Sequence, residues 1–159
     1  MLLAHSKKMA TALSQIFEKG TVHKSYQANV WGNVSNTPQT LNQPVQGKLA
    51  VSHIQLLAPL LTALKKFPPL LPQPQNPAIS RVNITIETGR KHQIRTHLSL
   101  AGYPIIGDRL HGCTEQDAFF EIRPNLQLTA YQLKFLCPIE QIKRQFCLSE
   151  SQLDLMGVV

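Results

Sequence analysis

The chain has 159 residues, enough for one domain with a real core, and its ordinary apolar content and low charged fraction exclude global disorder. Its net charge of +7 is uneven: twelve Lys and Arg oppose only Glu18, Glu87 and Asp108 within residues 1–112, a net +9, whereas four oppose six acids beyond them, a net −2. That balance suits a polyanion such as nucleic acid, although charge alone reports on partners only loosely.

The predicted elements begin with a helix over residues 7–19. Ser6 is placed to cap it, Met9, Leu13, Ile16 and Phe17 recur at helical spacing, and Gly20 suits the position just past its end. Core packing is the expected use of that apolar stripe. From Thr21 to Trp31 the period changes to two, which predicts a strand with Lys24 and Tyr26 on one face. Residues 32–44, rich in Asn, Thr and Pro, read as a loop, and Lys48 to Leu57 as a second strand. The segment 67–77, F-P-P-L-L-P-Q-P-Q-N-P, excludes helix and central strand and reads as a surface insertion within a single domain spanning 1–159. Val82, Ile84 and Ile86 alternate with Asn83, Thr85 and Glu87, a further strand. Thr88-Gly89 then turns the chain into a short helix from about Lys91 to Ala101, ended by Gly102 and Pro104. Leu126 to Phe135 is a last clear strand, and 138–159 read as a closing strand and a loose end. Strands with a few helices and no regular βαβ alternation predict an α+β fold on a largely antiparallel sheet.

Cys113, Cys137 and Cys147 are too scattered for a disulfide framework and contain no C-x-x-C pair, which argues against a zinc ribbon and fits a reducing cytosol. The N-terminus M-L-L-A-H-S-K-K reads as neither signal peptide nor anchor. The most apolar run, Ile54 to Leu64, is broken by Gln55 and Pro59 and is too short for a bilayer, so no membrane association is expected.

Chemistry concentrates between Glu87 and Gly112. Where the strand meets the helix, free backbone N–H groups favour an anion, and Arg90 and Lys91 add cationic charge suited to phosphate. His92 and Gln93 can hydrogen-bond to bases or sugars, and Gly89 permits close backbone approach. A solvated basic helix start would carry the same residues. Arg95 sits mid-helix, where it can address a buried carboxylate or a ligand. His92 and His97 are five apart, on different helix faces, which disfavours a metal pair. Asp108 after Gly107 offers a catalytic acid, with a turn or cap residue orienting its neighbours the favoured reading. Ser52 cannot face His53 along a strand, and no G-x-S-x-G elbow or Walker loop occurs.

Residues 88–112 resemble the pattern T-G-R-x-H-Q-I-R-x-H-L, a glycine, P-I-x-G-D and a closing glycine of the RluA-type RNA pseudouridine synthases. Lys24-Ser25-Tyr26 with Ala28, Val30 and Gly32, Gly47-Lys48 through Ser52, and Leu128 through Leu133 resemble other strands of that family. The resemblance covers nearly the whole chain except the Pro-rich insertion and the last residues. It implies isomerisation of uridine to pseudouridine in rRNA or tRNA, without metal or organic cofactor, by a cytoplasmic monomer. It implies that Tyr26 stacks on or acts beside a flipped base, that Arg95 pairs with a nucleophilic aspartate, and that Lys24, Arg90, Lys91, His92 and Gln93 face RNA.

The family's H-R-L-D-x-x-T-S-G loop, which supplies that aspartate, aligns upstream of Met1. The fold is therefore expected to be incomplete at its N-terminus, with Arg95 facing water or an unpaired pocket and at least one sheet edge exposed. The chain alone is expected to lack synthase activity. A non-catalytic RNA-binding module of the same fold is the alternative.

Overall fold

The computed structural model describes residues 3–59, 78–120, 122–149 and 152–153, and the expected insertion at 67–77 lies outside them. In chain order the elements are α1 (Lys7–Glu18), β1 (His23–Trp31), β2 (Gln39–Leu41), β3 (Ser52–Pro59), β4 (Ile79–Ile86), α2 (Gln93–Leu100), α3 (Thr114–Asp117), β5 (Leu128–Leu136) and β6 (Lys143–Cys147). The strands form one antiparallel sheet in the order β2-β3-β4-β1-β5-β6, so the architecture is α+β as expected.

The core lies where α2 covers the β1, β3 and β4 region of the sheet. In register, Tyr26 faces Ile84 and Ala28 faces Val82 across β1 and β4, and Ile54 faces Ile84 from β3. Ile94 and Leu98, four apart on α2, join these side chains in one buried cluster with Val30 and Ile105. Each Val, Leu or Ile of this cluster, fully buried, contributes about 1.5–3 kcal/mol.

Two departures from the expected elements have local causes. Within the presumed loop, Gln39–Leu41 pairs with Ser52–Ile54 as the short edge strand β2. The next strand starts later than its sequence suggests because Val45 and Lys48 close a tight turn through Gln46 and Gly47, both at positive φ.

α1 begins as expected, with the Ser6 hydroxyl accepting a hydrogen bond from the Met9 N–H at 3.2 Å. Its apolar stripe, however, does not enter the core: no α1 residue is buried. Met9 and Leu13 line an open cleft with Phe135 and Phe146, and Phe17 receives the Lys24 ammonium 5.6 Å from its ring centre. The expected core packing fails because the helix lies against the β5–β6 margin, where every β6 residue is itself exposed. Such a margin offers contact but no closed interior. β6 is also an exposed edge of the sheet among the described residues.

Beyond α2 the chain is fastened to β1. Ile105 bridges Val30, the Trp31 N–H donates to the Pro104 carbonyl, and the Ile106 N–H donates to the Asn29 carbonyl. Asp117 secures the same region, accepting from the Trp31 indole at 3.0 Å, from the Gly107 N–H at 3.2 Å and from Arg123 at 3.1 Å. Gly107, at φ +74°, admits no side chain, because a Cβ there would overlap the Asn125 carbonyl.

Candidate nucleic-acid interface

Lys24 and Tyr26 share a face of β1, as their spacing requires, and both line a cleft of about 410 Å³ with Phe17, Tyr131, Leu133 and Phe146. The register between β1 and β5 slips at Ser25/Tyr26, so that Lys24 faces Leu133 while Tyr26 faces Ala130. The extra β5 residue is a bulge, a device that re-aims side chains beside functional sites. Burial raises the Tyr26 phenol above its ordinary 10.0 and lowers the Lys24 ammonium from 10.5. The tyrosine is therefore a neutral, half-buried aromatic at neutral pH. The Lys24 ammonium lies 3.4 Å from where a Cβ on Gly89 would sit, so the turn after β4 adjoins the cleft.

That turn presents Arg90 and Lys91 on the surface. The Arg90 Nε donates to the Leu49 carbonyl at 3.0 Å, which steadies the side chain while leaving its remaining nitrogens exposed. Gln93 does not join them. It is 2% exposed, and its oxygen accepts from the Thr88 hydroxyl at 2.7 Å and the Arg90 N–H at 3.0 Å. Its amide nitrogen donates to the Val51 carbonyl at 2.9 Å and the Ser52 hydroxyl at 3.1 Å. The expected RNA contact from Gln93 is corrected: its hydrogen bonds tie the turn to β3 and leave it no surface for a ligand. The spacing carried a signal for this, since Gln93 and His97 are four apart beside the core pair Ile94 and Leu98. His97 is wholly buried between the Ser52 hydroxyl, 2.9 Å from Nδ1, and the Gln43 carbonyl, 2.8 Å from Nε2. With Nε2 donating to that carbonyl, Nδ1 accepts from Ser52.

Arg95 is likewise not left unpaired. Its Nε and Nη2 donate to the two oxygens of Asp108 at 2.7 and 2.5 Å, a bidentate pair with the carboxylate nearly out of solvent. Asp108 also accepts from the Leu110 and His111 N–H groups at 2.9 and 3.0 Å. Burial alone would raise its pKa, but the Arg95 and backbone hydrogen bonds outweigh that and hold it at about 2. The turn role expected of Asp108 is met, and its long-range partner is the one the sequence did not reveal. Arg95 is not among the residues that line the Lys24–Tyr26 cleft.

The 108–111 turn brings His111 to His92. Their Nδ1 and Nε2 atoms are 3.2 Å apart, with the rings edge to face. His111 was not singled out from the sequence, because the contact spans 19 residues and depends on the Asp108 turn.

A family model described as RNA pseudouridylate synthase matches residues 1–100. The chain belongs to that family. Among similar pseudouridine synthases, the dual-specificity RNA pseudouridine synthase RluA of Vibrio parahaemolyticus is 30% identical over 147 residues, covering 87% of this chain and 56% of the relative. Its Haemophilus influenzae counterpart is 33% identical over 141 residues, covering 87% and 62%. The chain thus spans less than two thirds of these relatives' length. Human RNA pseudouridylate synthase domain containing 1 superposes with a TM-score of 0.72 at 23% identity, over 95% of this chain and 65% of that one, which establishes the shared fold.

Proposed function

We propose that the chain is the RNA-docking portion of an enzyme that isomerises uridine to pseudouridine in rRNA or tRNA, and that by itself it binds RNA without catalysing the reaction. The observation that carries this reading is the cleft around Tyr26. It offers a neutral aromatic face beside the Lys24 cation, next to a turn bearing Arg90 and Lys91. An extruded base needs such a face, and the flanking phosphates need such cations.

No carboxylate occurs among the described residues lining that cleft. This supports the second half of the proposal, because breaking the glycosidic bond by the family's route requires a nucleophilic aspartate. Arg95 serves as a positioning residue: Asp108 occupies Nε and Nη2, and Nη1 is the nitrogen through which a second carboxylate would be held. The same absence also favours the alternative, a non-catalytic RNA-binding module built on this fold.

Uridine-containing RNA tritiated at C5 tests the catalytic statement, since isomerisation at that carbon releases the label. The purified chain is expected to release none above background while binding the RNA with strong salt dependence. Tritium release would overturn the inactivity. Unchanged affinity and salt slope after Arg90→Glu with Lys91→Glu would overturn the placement of RNA on this edge.

A further inference from the structure

His92 is one of only three non-glycine residues at positive φ among those described, at φ 56°, and although it stands at the N-cap of α2 its side chain caps nothing. The imidazole instead meets His111. Two ring nitrogens at 3.2 Å can share one hydrogen only, so one ring donates and the other accepts. Neither ring has another hydrogen-bond partner among the described residues. The groups facing His92 are Arg95, His111, Lys91 and Asp108. Asp108 is already neutralised by Arg95, so the charge left over around the pair is positive. A divalent cation would be repelled there, whereas an anion would be drawn in.

We propose that His92 and His111 form a proton-linked phosphate contact, in which a phosphodiester of bound RNA replaces the hydrogen bond between the rings and both rings donate to it. This rests on the RNA-binding reading above. Two donors aimed at one anion need either a tautomer change or one added proton, and the negative charge favours the proton, taken from solvent. Partial desolvation, Arg95, His111 and Lys91 together lower the His92 pKa in the free protein. The added proton is therefore absent near neutral pH until phosphate arrives. The Arg95–Asp108 pair acts as the strut, because it fixes the helix carrying His92 against the turn carrying His111.

The test measures binding of a uridine-containing RNA stem-loop to the full 159-residue chain at constant ionic strength. Between pH 7.5 and 6 the affinity is expected to rise several-fold, and by at most about tenfold per pH unit for one proton. His111→Gln should flatten that rise. His53→Gln, which alters an exposed histidine bonded to Thr40 and Glu87, should leave it intact. Histidine ring NMR should show the His92 pKa moving up when RNA is added. RNA binding without a pH slope, or with the same slope in His111→Gln, overturns the proposal and leaves the RNA reading standing. No RNA binding at any pH overturns both. If inorganic phosphate moves the His92 pKa and RNA does not, the site takes free phosphate and the proposal also fails.

Discussion

Asp108→Asn removes a charge from a densely connected side chain of the site while nearly preserving its shape. The wild-type carboxylate accepts four hydrogen bonds, two from Arg95 and two from backbone N–H groups. It is held at about 2 against an ordinary 3.8. At roughly 1.4 kcal/mol per pH unit, that corresponds to ~2 kcal/mol of stability at neutral pH. Removing one partner of a fully buried pair costs about 3–5 kcal/mol, but Arg95 reaches solvent, so the smaller figure governs and ~2–3 kcal/mol is expected. For a chain of this size the melting temperature should fall by about 5–10 °C at pH 7. Because the folded-state pKa is depressed, the wild-type advantage is fully present above the unfolded value and is lost as pH falls towards about 2. Paired thermal melts of wild type and Asp108→Asn, followed by circular dichroism from pH 7 down to pH 2.5, read this directly. A gap under about 2 °C at pH 7, or one that does not shrink in acid, would show that the pair is not the strut described.

Two further substitutions probe the scaffold. Gly107→Ala combines a left-handed backbone with an overlap on the Asn125 carbonyl, so a loss of more than ~2 kcal/mol in denaturant unfolding is expected. A wild-type midpoint would mean that the 104–108 segment is not fastened as described. Gln93→Leu should cost about 1–3 kcal/mol by leaving the Arg90 N–H and the Thr88 hydroxyl without the acceptor they share, with little change in RNA affinity where the protein remains folded. An unchanged melt accompanied by weakened RNA binding would return Gln93 to the interface.

β1 and β4 were legible because their residues alternate between the two faces of the sheet, and a period of two has few other readings. β2 was hidden, since three residues among Asn, Thr and Pro carry no pattern of their own and are strand only because β3 pairs with them. At the site, Lys24 and Tyr26 could be placed on one face from spacing alone. The Asp108 turn was also readable, because its acceptors reach the N–H groups two and three residues ahead. Its pairing with Arg95 and the meeting of His92 with His111 arise from packing a helix against a turn, and no local pattern encodes that. Gln93 misled because a polar side chain beside two cations looks exposed; the strand that buries it lies some forty residues earlier in the chain.

The position of β1 also governs how the molecule can be assembled. It is the first strand in the chain, yet it lies inside the sheet between β4 and β5, which are made much later. During synthesis its edge towards β4 stays unpaired until residue 86 has emerged, and its edge towards β5 until residue 136. Contacts that distant carry a loop-closure cost before they return any stability, so folding is slow and late rather than progressive. The strand that carries Lys24 and Tyr26 is thus also the one most exposed to wrong pairing while the chain is unfinished.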